Sequence, residues 1–185
     1  KSGMSVLQCL KEKHPEPSQI NENAFLACDV LPPLVEIGIT ASHVEQAAHS
    51  LKGGAGPSGI CAMLWQSFLL RYGKHSSHLR EVVAALTRRI ANTVVNWDDI
   101  RALMANRLIP LDKCPGVRPI GVGECLRRLL GKIMSMATGG DVVDICGIDQ
   151  VASGLKAGIE GVIHAMSDLY EENAGSGWGL LLVDA

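Results

Sequence analysis

The run Leu108-Ile109-Pro110-Leu111-Asp112-Lys113-Cys114-Pro115-Gly116-Val117-Arg118-Pro119-Ile120-Gly121-Val122 limits what this chain can fold into more than any other. Two short apolar segments flank a Pro-Gly turn, which predicts a β-hairpin. Lys113 falls near its tip and Arg118 on its second strand. On both sides of this run the apolar spacing is helical, so the expected class is α+β and predominantly helical.

The helices follow from periodicity and punctuation. Ser42 and Glu45 have the spacing of a capping box, and Val44, Ala47, Ala48 and Leu51 share one face of a short helix that should end at Gly53-Gly54. After the turn-rich Lys52-Gly53-Gly54-Ala55-Gly56-Pro57-Ser58-Gly59, Ser58 is placed to cap a helix through Ile60, Leu64, Phe68 and Leu69, closed by Gly73. The glycines of that loop do not make a phosphate loop, which needs a preceding strand and a Gly-Lys-Ser/Thr ending. From 77 to 95, Leu79, Val82, Val83, Leu86, Ile90 and Val94 repeat at helical spacing. His75 and His78 at its start lack a third ligand and read as surface residues. A further helix should begin at Asp98 or Asp99. Trp97-Asp98-Asp99 looks like the aromatic-Asp-Asp signature of polymerases, yet no strand precedes it, so these acids are read as capping residues.

Beyond Gly123 a helix carries Leu126, Leu129, Leu130, Ile133 and Met134, with Gly139-Gly140 as its expected end. A short segment leads to Asp149-Gln150, then a helix spans 158 to 172 and a turn 173 to 177. Residues 1 to 39, interrupted by Pro15, Pro17, Pro32 and Pro33, read as an irregular lead-in. The chain ends on Leu180-Leu181-Leu182-Val183-Asp184-Ala185. A continuous apolar run of this kind predicts a buried strand, and an acid at its carboxyl end is where α/β folds place ligand chemistry. Asp184 is therefore a candidate metal ligand.

Composition narrows the classes. Apolar residues make up 47% and aromatics 4%, so the core must be built from aliphatic side chains. No window supplies the roughly 20 apolar residues of a membrane span. The six cysteines are scattered without a CxxC pair, which indicates neither a zinc site nor a disulfide scaffold. Charge is segregated: residues 52 to 140 carry 13 Lys/Arg against 5 Asp/Glu, whereas residues 141 to 185 carry 1 against 8. That pattern suits a region facing a polyanion beside an acidic region.

Taken in order, KGGAGPSGI, LIPLDKCPGVRPIGVGECLRRLLGKI, DQVASGLKAGIEGVIHAM and LLLVDA resemble the fingers and early palm of a reverse transcriptase, closest to the non-LTR retrotransposon type. The resemblance runs from about residue 44 to 185. It implies a right-hand polymerase, with lead-in 1–41 and an incomplete reverse transcriptase domain 42–185: fingers to about 150, and the start of the palm after it. It further implies template-directed nucleotidyl transfer with two Mg2+ ions, Asp184 as the first catalytic, metal-binding aspartate, and Lys113 and Arg118 on the triphosphate of a dNTP. Gln150 would lie near template and nucleotide, although the chain reads Gln150-Val151-Ala152-Ser153-Gly154 where the family has a Gln-x-Gly-Phe-like opening. Arg88, Arg89, Arg127, Arg128 and Lys132 are candidates for the backbone of an RNA template and DNA primer.

An intracellular setting is expected, with the nucleus as the place the resemblance implies, and the lack of a long apolar window predicts no membrane partner. The family's second catalytic block, aromatic-x-Asp-Asp, would fall beyond Ala185, so this chain by itself is expected to be inactive. A reading of a different class stands beside this one: a non-catalytic helical domain that binds protein or nucleic acid.

Overall fold

In a computed structural model, the residues described are 3–14, 16, 35–113, 116–146, 150–151 and 156–181. They form α1 (Val6–Glu12), α2 (Ala41–His49), α3 (Ala62–Leu70), α4 (Lys74–Asn92), α5 (Trp97–Met104), β1 (Asn106–Asp112), β2 (Val117–Gly123), α6 (Cys125–Cys146) and α7 (Gly158–Glu172). The chain is α+β and mostly helical, with one two-stranded antiparallel sheet among the described residues. It divides into two compact units, Lys1–Ala137 and Thr138–Ala185.

The core of the first unit joins part of each face that periodicity assigns inward; Leu64, Phe68, Val82 and Leu86 are exposed, and Val94 lies past the end of α4. Val44, Ala47 and Ala48 of α2 meet Leu69 of α3, Val83 and Ala84 of α4, and Leu129 and Ile133 of α6. Burying Ile39, Leu69, Leu129 and Ile133 completely is worth about 1.5–3 kcal/mol each. Polar side chains stitch these helices at their ends. Ser76 Oγ donates to Phe68 O at 2.7 Å and accepts from Tyr72 N–H at 2.8 Å, fixing the bend between α3 and α4. Asn92 accepts from Ile37 N–H at 2.7 Å and donates to Ile37 O at 3.0 Å, holding the segment before α2 against the end of α4. Gln66 Nε2 donates to Ala48 O and Leu51 O, tying α3 to the end of α2 and the turn after it.

Several boundaries differ from expectation. Thr40, not Ser42, precedes α2, and its N–H donates to His43 Nδ1 at 3.3 Å. α2 stops at His49 rather than at the glycines. Cys61 is the N-cap of α3, so Ser58 is released from that role. α5 is capped by Asn96, whose side chain accepts from Asp98 N–H. Asp98 and Asp99 fill the first turn, where negative charge favours the helix dipole. The lead-in holds a seven-residue helix, α1, which Ser5 caps. α6 continues through Gly139-Gly140 to Cys146, because glycine weakens a helix by about 1 kcal/mol per residue without stopping it.

The hairpin is present and longer than its apolar core. Its register pairs Pro110 with Pro119 and Leu111 with Arg118. Two prolines face one another without loss because an antiparallel ladder alternates with pairs that exchange no hydrogen bond. Lys113 N–H donates to Gly116 O at 3.0 Å, which closes the turn on that same alternation. Gly116 takes φ 101°, a conformation suited to glycine.

In the second unit, α7 spans the residues predicted for it, and the turn after it covers 173–177. Its apolar stripe of Ile159, Val162, Ile163, Met166 and Leu169 is exposed. Residues 178–181 have no regular secondary structure, so the expected buried strand does not begin at Leu180 and Leu181, which are exposed; its remainder and Asp184 fall in 182–185, outside the described residues. Among the described residues no helix is long and apolar enough to cross a membrane.

Candidate nucleic-acid interface

Strand alternation divides the hairpin into two faces. Arg118, Ile120 and Val122 share one face with Leu111, Ile109 and Arg107 across the ladder. Carried one residue past β1, the alternation puts Lys113 on this face too. Arg107, Lys113 and Arg118 are all exposed, and their side chains have no hydrogen-bond or ion-pair partner among the described residues. Three cations on one twisted ribbon are chemically suited to phosphate oxygens. Arg107 escaped the sequence reading because the apolar run begins at Leu108; extending strand alternation one pair further, to Val122, would have found it.

The remaining basic candidates are placed differently. Arg88 donates to Ile39 O. Arg127 Nη1 donates to Met104 O at 3.2 Å and Nη2 to Asn106 Oδ1 at 3.0 Å, which ties the root of β1 to α6. Arg128 Nη1 donates to Lys52 O at 2.9 Å, and Nη2 to Gly54 O and Cys125 Sγ. Lys132 Nζ donates to Ser50 O at 3.3 Å. Arg89 is exposed on α4, with no side-chain partner among the described residues. The structure thus brings Lys113, Arg118 and Arg107 onto one face, and engages Arg88, Arg127, Arg128 and Lys132 with main-chain carbonyls.

Behind the root of the hairpin lies a clamp. Glu124, between β2 and α6, accepts from Ser58 N–H at 2.6 Å through Oε1 and from Ser58 Oγ at 2.8 Å through Oε2. The Ser58 hydroxyl and then its N–H hold this carboxyl below the ordinary carboxylate range, with Arg128 adding a smaller effect. Burial moves the Cys125 thiol upward. Gly56 permits the contact: a Cβ there would lie 2.7 Å from Glu124 Cα and 2.8 Å from Gly123 O. The loop 52–59 is therefore fastened by Glu124 and Arg128 from opposite ends, and the hairpin root is fastened with it.

Gln150 is exposed and belongs to the second unit. Asp184 lies outside the described residues, and among these no group of three or more His, Cys, Asp or Glu side chains could hold a metal ion. Mg2+ thus has no ligand set to test here. Comparison with models of protein families, with curated proteins and with solved structures finds no match for this chain.

Proposed function

We propose that the chain is the fingers and early palm portion of an RNA-directed DNA polymerase, with the hairpin face of Lys113, Arg118 and Arg107 set toward the phosphates of nucleotide and nucleic acid. The observation that supports it most is the contrast among cations: these three extend from a firmly rooted ribbon without side-chain partners among the described residues, whereas four of the other candidates are held by carbonyls. Phosphoryl transfer relies on positioning and charge neutralisation, and a fixed basic ribbon serves both. Asp184, Gln150 and Mg2+ belong to this proposal through the order of the motifs.

A second reading, a non-catalytic interaction domain, draws on the exposed stripe of α7, with Ile163 at 58% and Tyr170 at 56% exposure. Fluorescence anisotropy with a labelled primer–template, repeated at several salt concentrations, separates the two. Lys113→Ala with Arg118→Ala should weaken binding across all sequences and lower the slope of log K against log salt by roughly two, and Arg107→Ala by about one more. Binding unchanged at every salt concentration would favour the interaction domain.

A further inference from the structure

A cleft of about 570 Å³ opens in the first unit among α4, α5 and the loop ahead of α3. Trp65, Leu86, Ile90, Ile100, Leu103 and Leu126 make its walls apolar. The ionisable side chains in its lining are both carboxylates, Asp99 and Glu124. Ser58 occupies both oxygens of Glu124. The exposed Asp99 carboxylate has no partner among the described residues, since the neighbouring ion pair joins Arg101 to Asp98.

We propose that this cleft binds a small organic ammonium ion, with an aromatic or branched aliphatic body on the apolar wall and its cationic head toward Asp99. Three features select that chemistry. The volume falls within the usual range for small-molecule sites, roughly 300–1,000 Å³, whereas a stable protein partner needs about 800 Å² on each side. Two carboxylates in one lining repel an anion, and a neutral ligand gains from Asp99 at most a hydrogen bond without the attraction between opposite charges. Trp65 in the same lining is an aromatic side chain, a kind whose ring face attracts cations. The hairpin takes no part, so the inference stands or falls apart from the polymerase reading.

The test uses the whole chain and a series alike in shape but not in charge: 2-phenylethylammonium, 2-phenylethanol and 3-phenylpropionate, titrated while amide NMR shifts are followed. The ammonium ion should move the signals of Trp65, Leu86 and Leu103 and bind roughly fivefold tighter than the alcohol, with the carboxylate weakest. Asp99→Asn should erase the preference for the cation while keeping affinity for the alcohol. Leu86→Lys, which brings a competing ammonium group to the cleft, should weaken the cation most. Equal affinity for amine and alcohol, shifts centred elsewhere, no shift with the amine, or an Asp99→Asn chain that keeps its preference would each overturn the proposal.

Discussion

Gly56→Ala is expected to destabilise the first unit by about 3 kcal/mol, read as a lower urea midpoint. The added methyl meets three atoms of one backbone peptide: Glu124 Cα at 2.7 Å, Glu124 N at 2.8 Å and Gly123 O at 2.8 Å. Backbone at the start of a buried helix cannot turn aside as a side-chain tip does, so the loop has to lift. Overpacking of this kind costs about 1–3 kcal/mol, and lifting the loop also forfeits bonds to a charged carboxylate. Gly54→Ala is the control. Nothing lies within 4 Å of a Cβ there, so its midpoint should stay within about 0.5 kcal/mol of the parent. Equal effects at the two glycines would show that the contact with Glu124 is not tight.

Removing the carboxylate should cost nearly as much. Glu124→Ala leaves the Ser58 N–H and hydroxyl without their acceptor, a loss of about 2–3 kcal/mol for bonds to a charged group. Glu124→Gln keeps one good acceptor and should fall between. The acid dependence has a definite sign. The folded carboxyl ionises below its ordinary value of 4.5, so its contribution is complete above that value and disappears as pH falls through the lowered folded one. The stability gap between the parent and Glu124→Gln should therefore be constant near neutrality and close on acidification. A gap that widened in acid would mean that the carboxyl is held above its ordinary value.

Local rules carried much of the architecture. Helical spacing identified the inward faces of α2 and α6, part of that of α4, and the extent of α7, whose apolar stripe is exposed, and the Pro-Gly turn identified the hairpin with Lys113 and Arg118 on it. These signals act over a few residues, which is why one sequence reveals them. The clamp was illegible for the opposite reason: Ser58 and Glu124 are 66 positions apart, and neither has a neighbour that marks it. Gly139-Gly140 misled because glycine is common both past helix ends and, at a cost, inside helices. Arg127, Arg128 and Lys132 could not be told from phosphate-binding residues by type alone; their carbonyl partners lie at residues 50 to 54 and 104, close only after folding.

That division of labour among the cations has a consequence for how ionic strength acts. A guanidinium resting on carbonyl dipoles a few ångströms away interacts over distances far shorter than the screening length of about 8 Å at physiological salt, so dissolved ions barely weaken it. Phosphate held by Arg107, Lys113 and Arg118 would instead be displaced steadily by added electrolyte. Under the proposed function, fold and surface would obey separate controls: salt would strip a polyanion from the ribbon while the scaffold that carries it stays assembled.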